Sequence, residues 1–196
     1  MSATRLTIFL LLGLLVGAVV VMATAREPVT WNGTHISPPM PAAELTLESA
    51  DGTVSVSDFR GRAVALFFGY TSCPDVCPTT LLRLRSAMAA LGEARSDVQV
   101  VFISVDPERD TPARASAYAE AVDSGFVGLS GTPEQIAEVA SRYGIYYAKA
   151  EGSEATGYLV DHSATITVLN RDGRVELLWS PTVTAEQMAE DLEALL

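Results

Sequence analysis

The chain has 196 residues, 48% of them hydrophobic, which is enough for one full-size domain with its own core and an accessory segment. Its 13 Lys and Arg residues are outnumbered by 24 Asp and Glu residues, so the net charge is −11. This balance argues against nucleic acid as a partner and favours basic protein surfaces.

The first 25 residues predict export and a membrane anchor. From Leu6 to Ala23 the chain is uncharged and rich in Leu, Val, Ile, Phe and Ala, and it is just long enough to span a bilayer as a helix. Arg5 favours a single pass with the N-terminus inside, which places the domain on the periplasmic or outer side of a bacterial inner membrane. Cleavage as a signal peptide remains the alternative, because Ala23 and Ala25 have the small-x-small form of a cleavage site.

Residues 26–41 predict an extended linker, since they mix Pro, Gly, Asn and Trp without periodicity. His35 in this stretch has no second ligand type near it in sequence and is interpreted as a solvated loop histidine. The folded domain is then expected over residues 42–196.

Within that domain, strands and helices alternate between two hairpins. Alternating patterns with turn residues predict the hairpins at 44–57 and 164–179. The segments between them and after them are predicted as strands at 64–68, 98–105 and 126–129, helices at 78–91, 112–123 and 133–143, a loop at 149–157 and a C-terminal helix from 185. This order predicts an α/β domain with a mixed central sheet flanked by helices, and a strand followed by cysteines and a helix is the thioredoxin-like arrangement.

The two cysteines, Cys73 and Cys77, follow a buried-type strand and lie at the start of a predicted helix. Amide groups and the positive end of the helix dipole stabilise thiolates at such a position. Two thiolates at this spacing either exchange electrons as a dithiol/disulfide couple or hold a soft metal ion together. Because a disulfide cannot donate two thiolates, oxidation is expected to switch metal binding off.

His162 is the third candidate ligand. It begins a core-type strand with Asp161 beside it, and loops at one edge of a sheet converge, so it can reach the cysteines across the sequence. Two thiolates and an imidazole favour copper(I); copper(II) with an added oxygen ligand and zinc with an open fourth position are the alternatives. Asp75, Asp106 and Asp110 are interpreted as residues of helix starts and turns.

Four motifs together resemble the Sco/SenC family; they are Phe68–Thr79, Ser104–Pro112, Gly128–Thr132 and Tyr158–Ser163. The resemblance covers residues 43–196 and implies a thioredoxin-like fold, a membrane anchor and delivery of copper to the binuclear CuA site of cytochrome c oxidase subunit II. It also implies that Cys73, Cys77 and His162 bind the copper. Thiol–disulfide exchange by the two cysteines, including reduction of the target's cysteines, is the alternative function. Besides subunit II, another periplasmic copper chaperone or a thiol reductant is an expected partner.

Some features depart from related patterns. The cysteine spacing is one residue longer than in thioredoxins, Asp161–Ser163 stand where a cis-proline is expected, and Ser72 replaces a histidine that is frequent in the family. The first hairpin and Asp58–Gly61 are also similar to peroxiredoxins, which makes a peroxidase a third and weaker hypothesis.

Overall fold

The computed structural model describes residues 29–153 and 157–196, and the predicted anchor over residues 1–25 lies outside them. The fold below is that of the compact unit formed by residues 31–196. Among the described residues, no helix has both the length and the apolar character needed to cross a membrane.

In the described part of the chain, six strands form a central mixed sheet, and two shorter pairs form separate hairpins. The strands of the sheet are β1 (Thr34–Pro41), β4 (Ala63–Gly69), β5 (Val98–Ser104), β6 (Val127–Leu129), β9 (Ile166–Leu169) and β10 (Arg174–Trp179); the hairpins are β2 (Thr46–Ser49) with β3 (Gly52–Ser55) and β7 (Tyr147–Ser153) with β8 (Gly157–His162). The sheet order is β1-β10-β9-β4-β5-β6, with β4, β5 and β6 parallel and the other pairs antiparallel. The predicted mixed sheet is therefore confirmed. Both predicted hairpins are confirmed as well, the first as β2 with β3 and the second as the antiparallel pair β9 and β10 within the central sheet.

The two central strands, β4 and β5, determine where the functional residues lie. Every residue of both strands is buried, as expected for continuous apolar runs covered on both faces. They pair in parallel from Ala63 with Val98 to Gly69 with Ser104. Their carboxyl ends consequently meet at one edge, so the cysteines that follow β4 lie next to the segment that follows β5.

Four α-helices among the described residues flank the sheet, namely α1 (Val76–Ala90), α2 (Pro112–Val122), α3 (Pro133–Arg142) and α4 (Ala185–Leu195). Thr111, Thr132 and Thr184 cap the last three with their side chains, as threonine commonly does directly before a helix. Helix α1 begins at Val76, two residues earlier than predicted, so Cys77 lies inside its first turn. Asp75 occupies the cap position, but its side chain makes no capping hydrogen bond to the helix.

Part of the predicted linker belongs to the sheet. Residues 34–41 form β1, which pairs with β10 at the outer edge of the sheet. The strand is mostly exposed, and its register shifts between His35 and Met40. An edge strand that is interrupted in this way does not alternate between apolar and polar residues, which is why its sequence has no strand period.

The predicted loop at 149–157 is also largely strand. Residues 149–153 continue β7, and Gly157 begins β8; the two strands pair from Tyr147 with His162 outward. The outer part of β7 is exposed, so it lacks the apolar alternation by which half-buried strands are identified. His162 thus closes a hairpin that, within residues 29–153 and 157–196, forms a sheet of its own beside the central one.

Candidate metal centre

Cys73, Cys77 and His162 come together at the carboxyl edge of β4. One ligand atom from each of these residues lies within 4.8 Å of the others, and no other group of this kind occurs among residues 29–153 and 157–196. The Sγ atom of Cys77 is 3.4 Å from Nε2 of His162, and the backbone N–H of Cys77 donates to Sγ of Cys73 over 3.5 Å. Both cysteines are free thiols. The structure therefore brings together the three residues that the sequence singled out.

Each candidate ligand is held by a different part of the fold. Cys73 follows β4 in a turn closed by its N–H bond to the carbonyl of Tyr70. Cys77 is fully buried in the first turn of α1, whereas Cys73 and His162 are half-buried. Buried and half-buried donors together form a site that is anchored on one side and reachable from solvent on the other.

The hydrogen bonds of His162 determine which ring nitrogen faces the thiols. Its Nδ1 is 3.0 Å from the carbonyl oxygen of Ser163, and a carbonyl can only accept. Nδ1 must then carry the proton, which leaves the lone pair on Nε2, the atom that lies beside Cys77. A histidine that donates one ring N–H to a backbone carbonyl is the usual arrangement for a metal ligand. The role of the Ser163 carbonyl was not predictable from the sequence.

The two thiols differ in acidity. The hydrogen bond from Cys77 lowers the pKa of Cys73 to about 4 against the opposing effect of burial, and backbone N–H groups at the helix start also lower it. The same bond, together with desolvation, raises the pKa of Cys77 above its ordinary value. In the metal-free protein Cys73 is therefore the thiolate and Cys77 its proton donor.

This difference predicts selective alkylation of Cys73. In the reduced protein at pH 5, Cys73 is expected to react with iodoacetamide because its thiolate persists down to a pH near 4. In Cys77→Ala the stabilising hydrogen bond is absent, the pKa of Cys73 rises, and its alkylation rate at pH 5 should fall at least about 10-fold. Mass spectrometry of tryptic peptides measures the rate, and equal rates in the two proteins would contradict the assignment.

Aromatic side chains and a pocket surround the cluster. Tyr70 meets the His162 ring edge-on, at 90° and 5.8 Å between centroids, and Phe67 packs at 6.3 Å. A pocket of about 260 Å³ opens beside them, lined by Cys73, Val76 and His162 among others. Val76 on its rim is 41% exposed. The cluster is consequently accessible from one side without being fully open to water.

Gly69 gives Cys77 the room that it needs. A Cβ at position 69 would lie 2.7 Å from Sγ of Cys77 and 3.1 Å from the Phe102 ring. Gly69→Ala should therefore displace the Cys77 sulfur and lower the free energy of unfolding by about 1–3 kcal/mol. Chemical denaturation measures the change in the free energy of unfolding. Wild-type stability in Gly69→Ala would show that the sulfur has space to move.

Asp106 and Asp110 do more than form a turn. Asp110 is fully buried and accepts hydrogen bonds from the N–H of Thr71 at 2.8 Å, the Thr71 hydroxyl at 2.6 Å and the Ser104 hydroxyl at 2.6 Å. It thereby ties the turn before Cys73 to the end of β5. Asp106, 3% exposed, accepts from the hydroxyl of Tyr158 at 2.6 Å. Their interpretation as turn and cap residues alone was incomplete, because Thr71 and Tyr158 are distant from them in sequence.

A thioredoxin-like α/β domain with two thiols at a helix start and an imidazole facing them defines a thiol- and histidine-containing metal-binding domain. Comparison with known proteins gives the family. The chain belongs to the SCO1/SenC family, whose model matches residues 41–196. The resemblance predicted from the four motifs is thus confirmed.

Individual relatives agree with this assignment. The chain is 40% identical over 139 residues to the protein SCO2 homolog, mitochondrial, of Mus musculus, covering 69% of this chain and 54% of the mouse protein. The human counterpart is 37% identical over 139 residues, covering 69% and 52%. The chain therefore spans about half the length of these two relatives.

Solved structures are similar over most of the chain. The solution structure of apo Sco1 from Thermus thermophilus is 47% identical and covers 85% of this chain and 98% of its own, with a TM-score of 0.76. The structure of Bradyrhizobium japonicum ScoI with copper bound is 38% identical and covers 80% and 99%, with a TM-score of 0.72.

Proposed function

We propose that this protein is a copper metallochaperone that binds copper through Cys73, Cys77 and His162 and delivers it to the CuA site of cytochrome c oxidase subunit II. The observation that carries the proposal is the convergence of two thiol sulfurs and one imidazole nitrogen within 4.8 Å beside an open pocket. The copper-bound ScoI structure, from a relative that is 38% identical, supports the choice of metal.

The donor set suits copper(I). Soft thiolates prefer copper(I), and a third, imidazole donor completes a trigonal site. Cys73 is already a thiolate near neutral pH in the metal-free protein, because its pKa is lowered to about 4, and Nε2 of His162 holds a free lone pair. Only Cys77 therefore has to release a proton on binding. Copper is a cargo in this proposal, and half-buried Cys73 and His162 are the ligands that an incoming acceptor can reach.

The location belongs to the same proposal. Residues 1–25 would act as a single-pass anchor in a bacterial inner membrane, with the copper-binding domain on the periplasmic or outer side. This location would place the site where the copper-containing part of the oxidase is assembled. A second periplasmic copper chaperone is the expected donor of the metal.

A transfer experiment tests the proposal. The full chain, reduced and purified in detergent, should bind one copper(I) per molecule when titrated against a chromogenic copper(I) chelator. After mixing with the metal-free soluble domain of subunit II and separation of the two proteins, mass spectrometry should find the copper on the oxidase domain. Copper that stays with this chain would contradict delivery, and the absence of a tight site would contradict binding.

The low pKa of Cys73 favours a second candidate function, thiol–disulfide exchange. The Cys73 thiolate would attack a disulfide of the target and release one target thiolate; Cys77, after losing its proton, would attack Cys73 and release the other. The target gains two electrons and this chain becomes a disulfide, so a thiol reductant must restore it. A stabilised thiolate makes the couple a weaker reductant, which is the physical reason for placing this function second.

A further inference from the structure

The hairpin that carries His162 needs an external support. Within the described residues, strands β7 and β8 pair with each other and not with the central sheet. At the base of the hairpin, the N–H of Ser163 donates to the carbonyl of Tyr146 at 2.9 Å and the N–H of Tyr146 to the Ser163 hydroxyl at 3.1 Å. These bonds join the hairpin to itself. Contacts from outside the hairpin therefore contribute to the position of His162 relative to the cysteines.

Such contacts come from the segment that follows β5. Arg109 donates from Nε to the carboxylate of Asp106 and from Nη1 to the carbonyl of Tyr158 at 2.8 Å. Its guanidinium carbon lies over the Tyr158 ring, 3.7 Å from the centroid. The Tyr158 hydroxyl donates a hydrogen bond of 2.6 Å to the carboxylate of Asp106. These three residues, called the arginine clamp below, close a ring of contacts between the two segments.

The arginine clamp is well shielded from water. The side chains of Arg109 and Asp106 are 21% and 2% exposed. A neighbouring ion pair between Lys149 and Glu108 also bridges hairpin and segment, but its side chains are 54% and 57% exposed. Exposed pairs contribute little free energy, so the arginine clamp is the stronger of the two links.

The clamp is connected to His162 in two ways. Side chains alternate along a strand, so Tyr158, Val160 and His162 point to the same face of β8. Contacts that hold the Tyr158 side chain in place therefore also fix the direction in which the His162 side chain points. In addition, the Arg109 guanidinium lies 5.6 Å from the ring centroid of Tyr70, which in turn packs edge-on against His162.

We infer that the Asp106–Arg109–Tyr158 clamp is a positioning device that holds the His162 imidazole at ligand distance from the two cysteines. The inference rests on the proposed copper function for its purpose, while its geometry is a property of the metal-free chain. A shielded ion pair usually contributes little net stability compared with apolar residues of similar size, so its value lies in specifying one arrangement. Nη2 of Arg109 is buried without a hydrogen-bond partner among the described residues, and this cost is consistent with that use.

Conservative substitutions test the inference. Tyr158→Phe removes the hydroxyl that bonds to Asp106 and keeps the ring under Arg109. Arg109→Lys keeps the charge but cannot reach Asp106 and the Tyr158 carbonyl in two directions at once. Both variants are expected to weaken copper(I) binding roughly 10-fold, the scale on which residues that orient a ligand affect affinity. Arg95→Lys is the matched control, because Arg95 also pairs with a carboxylate, that of Asp123 at 2.9 Å, and belongs to neither the clamp nor the cysteine–histidine cluster.

A second readout needs no copper. In the metal-free full chain, NMR signals of the His162 ring should shift or broaden in Tyr158→Phe and Arg109→Lys and stay unchanged in Arg95→Lys. Unchanged ring signals and unchanged affinity in both clamp variants would overturn the inference, even if their unfolding midpoints fell. If Arg109→Lys fails to fold, Tyr158→Phe decides alone. A wild-type protein without a tight copper(I) site refutes the proposed function, whereas the ring signals still decide on the clamp.

Discussion

Replacing His162 with alanine is expected to weaken copper(I) binding by about 100-fold or more. The substitution removes one of three donors and leaves two thiolates that must complete the coordination with water or a foreign ligand. Substitution of residues that only orient a metal-bound histidine lowers metal affinity by about 10–100-fold. Removal of the histidine itself should therefore lower the affinity by about 100-fold or more. Competition with a chromogenic chelator measures the dissociation constant.

The chain supplies its own control for this experiment. His35 is the other of its two histidines; it stacks on Trp31 at 5.0 Å and lies 3.7 Å from Glu176, outside the cysteine–histidine cluster. His35→Ala should bind copper(I) like the wild type. Equal affinities for His162→Ala and His35→Ala would eliminate the three-ligand site.

Oxidation of the cysteine pair should abolish copper binding altogether. A disulfide between Cys73 and Cys77 removes both thiolates, and a lone imidazole cannot hold copper(I) against a competing chelator. The stoichiometry in the titration should fall from one to zero after treatment with a disulfide oxidant and return to one after reduction. Persistence of tight binding in a fully oxidised sample, verified by the absence of alkylatable thiol, would contradict a site built on these sulfurs.

Wild type and His162→Ala also separate the two candidate functions. Exchange with a target disulfide uses Cys73 and Cys77 alone, so His162→Ala should retain it while losing copper(I). Chromatographic separation of the reduced and oxidised target follows the exchange. If His162→Ala keeps copper transfer and loses thiol exchange, His162 serves the redox reaction rather than the metal, and the three-ligand copper site is contradicted.

The parts of the fold that the sequence predicts well are the parts that are buried or capped. Strands β4 and β5 are continuous apolar runs, and Thr111, Thr132 and Thr184 mark helix starts by a local chemical rule. Strand β1 and the outer part of β7 were missed because exposure removes the alternation that identifies a strand. The prediction of an anchor over residues 1–25 concerns residues that the structure does not describe.

The candidate ligands were predictable and the contacts that support them were not. Cysteine and histidine are few in this chain and have a chemistry that narrows their use, so Cys73, Cys77 and His162 could be selected from the sequence. Asp110 and Arg109 act through partners that only the fold brings near, across separations that no local pattern encodes. The Ser163 carbonyl lies next to His162 in sequence, but a backbone acceptor carries no residue-type signal. Common residue types in a polar turn do not by themselves indicate such roles.

The two edge strands of the central sheet, β1 and β6, disfavour pairing with another copy of the chain. Strand β1 contains Pro38, Pro39 and Pro41, which offer no N–H to an approaching strand, and β6 at the opposite end is only Val127–Leu129. An open sheet whose edge strands are long and present unpaired N–H and C=O groups could pair with a neighbouring chain and polymerise. With these edge strands, many copies of the domain can lie close together without one copy adding to the sheet of another.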